Sequence, residues 1–549
     1  MKYSVRGSSR ASISCRVGRK PVQVIALLFS AVLLFGIEGP TEVRAQTGDD
    51  AWLLTERLPA SSAHLIGMGG ASVGGVASAG VMLTNPAGLG YFESSQASGA
   101  LNAMAVSSTG RYHVADPTEL SETSYALVPS NGNLVYRFPT DRGSLVVAGG
   151  FNQRGTYQRT LAYDAINTEN TVTATFLPFD DEYGVRDDFR PEFHADLPFV
   201  AYEAGAIEFY PGLYEDGEYP FDQAILLGTD NRQFGEVIEE GQLREFNLGG
   251  AWEAAPNLMI GLSGNLMFGE YESNRYHEET REQDEPEPYS VIRDGQEFVG
   301  FERLEFIDRR QSSVSGVNLR FGASWWAAPA FRVGASVETP SYYQVENSFG
   351  IRMETFFEDG RSLFYSERSG EFERSNFEYN IVTPWRISLG GKILAQDLAG
   401  LDGQFVLSGD VEFVDWSQME LRAGRDDLFY QDANRDIRNV YGTALNTRLG
   451  GELLMGVAAL RAGFSYYPDP RDEMLVQTNE ITSQRNRTTL NLGFGYELTP
   501  ALQLDVGWMH QRLSDTFFPY TDPEEELTSP PISDDVNRNL FVVGVSYFF

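Results

Sequence analysis

Phe541-Val542-Val543-Gly544-Val545-Ser546-Tyr547-Phe548-Phe549 closes the chain, with large apolar side chains at 541, 543, 545, 547 and 549 and a second set that includes Gly544 and Ser546. Side chains alternate across a strand, so this stretch predicts one face suited to lipid and one that is small or polar, as in a barrel wall. The same period recurs upstream. Leu502, Leu504, Val506 and Trp508 alternate with Gln503, Asp505 and Gly507, and Leu490, Leu492, Phe494, Tyr496 and Leu498 alternate with Asn491, Gly493, Gly495 and Glu497. Only Thr499-Pro500-Ala501 separates these two runs, which therefore read as a hairpin. Phe246 to Leu266 repeats the unit around Ala254-Ala255-Pro256-Asn257, and Val317 to Val337 repeats it around residues 327–330.

Fourteen strands are expected near residues 97–108, 132–139, 143–156, 242–253, 258–275, 310–326, 331–347, 376–395, 403–422, 443–454, 459–468, 486–499, 501–513 and 537–549. Connections after even strands are short. Those after odd strands are mostly long, polar and acidic, at 157–241, 276–309, 348–375, 423–442 and 514–536. Short periplasmic turns, long external loops and an even strand count are the rule for bacterial outer-membrane barrels. The fold class expected is all-β, an antiparallel transmembrane barrel of about fourteen strands filling residues 97–549, with 157–241 as its largest external loop.

At the other end, Lys2, Arg6, Arg10, Arg16, Arg19 and Lys20 precede a mostly apolar run over 22–37 and Val43-Arg44-Ala45. This predicts a signal peptide over 1–45, cut before Gln46, too short and too polar at Gln23 and Ser30 to be an anchor. Cys15 lies before that run, so the mature chain would hold no cysteine and no disulfide. Seven of the 42 Lys/Arg and two of the 77 Asp/Glu fall in 1–45, leaving 35 basic against 75 acidic residues, a net of −40. Such a surface excludes nucleic acid as a partner and suits solubility, a salty habitat or a shell of divalent cations. No later apolar run is long enough for a membrane helix, so any span must be made of strands.

On the inward face, Gly249, Gly261, Gly322, Gly334, Gly390, Gly463, Gly493 and Gly495 leave space, and Met259, Met267 and Val406 add apolar patches. Arg320, Arg332, Arg386, Lys392, Arg448 and Arg461 are expected beside Glu253, Glu338, Asp410, Glu412, Glu452 and Asp505. A ladder of lumen ion pairs accounts for them, since a closed interior must satisfy its charges. The sharper reading makes Arg320, Arg332, Arg448 and Arg461, with Met259 and Met267, contacts for a ligand.

Residues 46–96 differ in character: Gly67-Met68-Gly69-Gly70-Ala71-Ser72-Val73-Gly74-Gly75 is followed by Leu83-Thr84-Asn85-Pro86-Ala87-Gly88-Leu89. Here the chain resembles the FadL-type family of outer-membrane transporters of hydrophobic compounds, whose N-terminal hatch carries a GMGGA-like turn and an Asn-Pro-Ala-Gly motif. The likeness extends to Val337-Glu338-Thr339-Pro340, Asp415-Trp416-Ser417 and Leu460-Arg461-Ala462-Gly463-Phe464-Ser465-Tyr466, and the last strand resembles the insertion signal of outer-membrane barrels. It implies a fourteen-stranded barrel with a lumen hatch over 46–96, in which Gly67, Gly69, Gly70, Asn85, Pro86 and Ala87 gate. Physically, glycines permit close packing, Pro86 stiffens a turn, and Asn85 can bond nearby backbone, so a purely structural role is equally open to it.

The family's ligand leaves sideways at a kink in the third strand, where this chain has Gly149-Gly150; ordinary close packing explains that pair equally well. The resemblance implies passive uptake of long-chain fatty acids or hydrocarbons, with no enzyme chemistry, cofactor or metal. Its partners would be a hydrophobic small molecule, outer-membrane lipids and the barrel-assembly machinery; oligomeric state is left open. The acidic 157–241 departs from the family and would repel a fatty carboxylate at low salt, which favours neutral hydrocarbons or a screened habitat. A barrel scaffold in a secretion or surface-attachment system is the alternative. Gly70-Ala71-Ser72-Val73-Gly74 satisfies a serine-hydrolase pattern, but that pattern needs a strand-to-helix elbow with His and Asp partners. The five histidines, at 64, 113, 194, 277 and 510, lack metal-ligand spacing.

Overall fold

The apolar alternation becomes a closed sheet in the computed structural model, which describes residues 48–549 apart from 189, 227, 283–287, 367–374, 397–402, 424–429, 472–476, 479–480, 483–484 and 522–526. The leader expected over 1–45 lies outside the described residues. Two short helices, α1 (Gly48–Leu54) and α2 (Ala63–Gly67), and two 3-10 turns (Ala79–Leu83 and Pro86–Tyr91) come before the wall.

The wall has fourteen antiparallel strands. They are β1 (Gln96–Tyr112), β2 (Glu119–Phe138), β3 (Leu145–Thr156, resuming over Arg159–Asn167), β4 (Asn231–Ala255), β5 (Leu258–Arg281), β6 (Phe301–Ala328) and β7 (Phe331–Glu338, resuming over Tyr342–Phe357). Next come β8 (Ser375–Val382 and Arg386–Gln396), β9 (Gln404–Asp415 and Glu420–Arg422), β10 (Thr443–Met455), β11 (Ala458–Tyr467), β12 (Arg487–Thr499), β13 (Leu502–Phe517) and β14 (Ile532–Phe548). The closing strand pairs with the first, Phe541 against Ala103 and Phe548 against Gln96, so the sheet ends where it began.

Burial is inverted relative to a soluble sandwich. Leu248, Leu262, Phe321, Leu389, Leu449 and Phe541 are exposed, while Ser263, Asn265, Arg320, Asp410 and Arg461 are buried. Such a wide exposed apolar band is stable only against lipid. The turns on one rim are tight: Pro256-Asn257 joins β4 to β5 with Asn257 at φ 66°, a left-handed angle that asparagine tolerates.

On the other rim the strands run further than alternation predicts. β2 begins at Glu119, β4 at Asn231 and β6 at Phe301, inside stretches expected to be loop. Above the lipid the outer face turns polar, so its period-2 apolar signal stops although backbone pairing continues; cross-strand ion pairs such as Arg309–Glu272 (2.5 Å) and Arg275–Asp308 help to hold the strands there. The insertion between β3 and β4 is also folded. Its helices α3 (Asp196–Glu203) and α4 (Pro211–Asp216), two short hairpins and the hairpin Ser290–Arg293/Gln296–Val299 enclose Phe176, Ile207, Phe209, Phe221, Phe298 and Phe357. This is an external cap with its own core.

Candidate functional site

Small residues let the N-terminal segment lie directly on the wall. A ring of inward glycines runs around the barrel, four couples facing one another across strands: Gly493 and Gly507, Gly450 and Gly463, Gly334 and Gly390, Gly261 and Gly322. A Cβ on Gly493 would fall 2.8 Å from Gly67 Cα, on Gly463 2.7 Å from Gly69 Cα, on Gly390 2.8 Å from Gly74 N, and on Gly322 3.0 Å from Pro86 Cδ. At Gly493 and Gly463 backbone therefore meets backbone, while Gly390 and Gly322 also make room for the Asp410 and Asn85 side chains. Gly69 (φ 62°) and Gly70 (φ 79°) also hold left-handed angles that other residues adopt only under strain.

Polar groups tie the segment down. Asp410 on β9 accepts from the backbone N–H groups of Ser72 (2.6 Å) and Val73 (2.9 Å). Asn85 is fully buried. Its Oδ1 accepts from Ala87 N–H (3.1 Å), capping the turn that Pro86 begins, while its Nδ2 donates to Val73 O (2.8 Å) and to Ala323 O on β6 (3.1 Å). Ser72 bonds to Thr84 and to Gly70 O, and among the described residues no histidine hydrogen-bonds to it.

The four arginines read as ligand contacts lie in the lumen, each engaged by protein. Arg320 pairs with Glu338 (2.8 Å) and Glu245 (3.2 Å) and donates to Met82 O. Arg461 bridges Glu452 (2.5 Å) and Asp505 (2.7 Å), and Arg448 pairs with Glu412 (3.1 Å). Arg332 donates to Gly75 O (2.7 Å) and lies over the rings of Tyr91 and Trp326. Met259 packs at Gly90 of the segment, and Met267 sits in an outer apolar chamber with Trp52, Tyr271 and Trp416. Helix α1 fills that chamber, and α5 (Gln431–Val440) closes over it through Ile437. Between residues 52–59 and Arg386, Trp416 and Arg448 lies a cavity of about 50 Å³. Ligand pockets measure roughly 300–1,000 Å³, so this cavity is too small to be one.

An asparagine ladder escaped the sequence reading. Asn152 donates to Asn247 (2.9 Å), Asn247 to Asn265 (2.7 Å), Asn265 to Asn318 (2.7 Å) and Asn318 to Glu338 (2.8 Å), one rung per strand. Its signal was an asparagine at the matching inward position of β3 to β6. At its first rung the pairing of β2 with β3 ends. β2 and β3 pair only from Phe138/Leu145 to Asn131/Asn152; beyond this, residues 119–129 of β2 pair with β1 alone and the rest of β3 with β4 alone. The break falls beyond Gly149-Gly150, which sit in regular pairing, at a bulge that leaves Arg154 unpaired between Gln153 and Gly155. From there β3 passes inward, with Gln153 accepting from Asn102 of β1 (2.8 Å) and a Cβ on Gly110 meeting Ala162 O at 2.7 Å.

The structure of a FadL homologue from Pseudomonas aeruginosa superposes with a TM-score of 0.51 at 11% identity, over 90% of this chain and 99% of that one. The chain has the FadL-type fold. The toluene transporters TodX of Pseudomonas putida (TM-score 0.47, 12% identity, 90% and 100% covered) and TbuX of Ralstonia pickettii (0.45, 11%, 89% and 98%) are also similar. No protein-family model and no curated protein matches. A FadL-type barrel with this apolar outer band is a bacterial outer-membrane protein.

Proposed function

We propose that the chain is a channel for passive uptake of hydrophobic small molecules across the outer membrane, residues 48–92 serving as its hatch. The observation that carries this reading is the interrupted pairing of β2 with β3 beside a lumen that residues 48–92 occupy. A straight aqueous pore needs no such gap, whereas a molecule that prefers lipid to water gains by leaving sideways. Long-chain fatty acids and neutral hydrocarbons are the two classes to separate. The acidic exterior favours the neutral one, and Arg320, Arg332, Arg448 and Arg461 meet a carboxylate only by giving up the partners they hold now.

The small residual cavity and the folded cap favour a second reading, a barrel scaffold that carries nothing. Uptake of labelled long-chain fatty acid and of a labelled neutral hydrocarbon, compared between a deletion strain and its complemented parent, decides between them. Transport predicts a loss with at least one probe; equal uptake of both by the two strains leaves the scaffold.

A further inference from the structure

Residues 54–61 stand where β2 and β3 would otherwise meet. Ser61 O accepts from Ser130 Oγ (2.6 Å) and Asn131 Nδ2 (2.8 Å) of β2, and Ser61 Oγ donates to Asn152 of β3 (2.9 Å). Further out, Leu58 N–H donates to Arg154 O (2.7 Å), a Cβ on Gly155 would lie 2.8 Å from Glu56 O, and Leu54 O accepts from the Tyr157 hydroxyl (2.9 Å). The segment thus holds the inner edge of β3 with bonds that β2 would otherwise supply. Arg154 adds its side chain, paired with Glu245 and with Glu338 (3.0 Å), the carboxylate that Arg57 also grips (2.5 Å).

The two separated edges still match. β2 carries one extra residue against β1, Ser130, and β3 one extra against β4, Arg154, at the same level of the wall. A bulge on one strand alone would flip every side chain beyond it to the other face. Paired bulges cancel, so continuing the register from Asn131/Asn152 sets Leu127 opposite Thr156 with both on the outer face.

We infer that residues 54–61 are a removable wedge, with Arg154 as its positioning residue: seated, it props the side gap open while filling the lumen, and withdrawn, it frees the lumen while β3 zips to β2 and shuts the gap. The inference rests on the proposed channel reading and adds that lumen and gap open in alternation, so that no state opens both. A free strand edge at membrane depth is costly, which supplies the drive to zip once the wedge leaves.

Disulfide trapping reads this without any substrate, so its failure is distinct from a failure of transport. Cys15 is the chain's one cysteine and falls in the expected leader, so Leu127→Cys with Thr156→Cys reports on zipping alone. With the wedge intact, oxidation of the purified barrel leaves the pair mostly unlinked. Leu58→Pro, which removes the N–H that bonds Arg154 O, or Arg154→Ala raises the linked fraction about tenfold. Glu56→Cys with Gly155→Cys locks the wedge and stops hydrocarbon uptake until reductant is added. Gel mobility before and after heating confirms that each variant is folded. Linking as efficient with the wedge intact as without it overturns the inference, as does a folded Leu58→Pro or Arg154→Ala barrel that stays unlinked.

Discussion

At Gly322 one added methyl group would meet the N-terminal segment and, if that segment is the proposed hatch, should break its seal. That Cβ would fall on Pro86 and the Asn85 side chain, both packed against backbone, so neither can swing aside as a flexible chain end would. Overpacking of this kind typically costs about 1–3 kcal/mol, and the segment, which lies outside the closed ladder of strand pairs, is the part expected to shift. Gly322→Ala should therefore admit a bulky antibiotic that the parent excludes and raise conductance in a planar bilayer. Gly451→Ala is the control, because its Cβ would find its nearest neighbour at 3.9 Å. Equal tightness of the two variants would show that the glycine ring is not the seal. At this scale the sequence carried part of the site: Gly67, Gly69, Gly70 and Asn85 stood out because a stretch so poor in bulk cannot line a wall. Arg154 did not, because the bulge that presents it breaks the alternation by which inward residues are recognised.

Among the elements, the strands crossing lipid were legible and their outer extensions were not. Lipid imposes a period of two on the outer face; above it, water accepts either side chain and leaves only backbone pairing, which has no sequence signature. The cap was hidden for a related reason: Asp180, Asp181, Glu182, Asp187 and Asp188 dominate its composition, while its core is assembled from segments more than a hundred residues apart. Arg293 ties those segments together, pairing with Glu208 (2.6 Å), donating to Tyr202 O (2.9 Å) and lying over the Tyr202 ring. Removing one partner of a buried pair strands the other, so Arg293→Ala should destabilise the cap by about 3–5 kcal/mol at neutral pH, read as faster proteolysis within 172–225 while the barrel survives. Burial pushes the Glu208 carboxyl above its ordinary 4.5, with Arg293 pulling the other way. The native cap therefore holds this proton where an unfolded one releases it, and its contribution is full below about 4.5 and lost as pH rises through the raised value. Glu208→Gln should flatten that part of the pH profile of proteolysis; an unchanged profile would assign the dependence to another group.

For the whole molecule, wall and lumen filling are separable by their bonds. The sheet closes through β1 and β14 using only residues from Gln96 onward, whereas residues 48–92 are held by glycine contacts, a few backbone bonds and ion pairs whose wall partners mostly retain another neighbour. Glu338 keeps Arg154 and Arg320 without Arg57, and Arg461 keeps Asp505 and Glu452 whatever happens to Gly67. Barrels of eight strands are filled by their own side chains and those of sixteen or more leave a channel, so fourteen strands with a vacated glycine ring fall near the open end of that range. Deleting residues 48–92 should thus leave a barrel that still migrates anomalously in detergent gels until heated, and that conducts ions where the intact chain does not. Loss of the heat-modifiable form would make the segment part of the wall's folding, against the division drawn here. A folded deletion barrel that stays silent would place the seal in the external cap, and proteolysis of the cap would then have to open it.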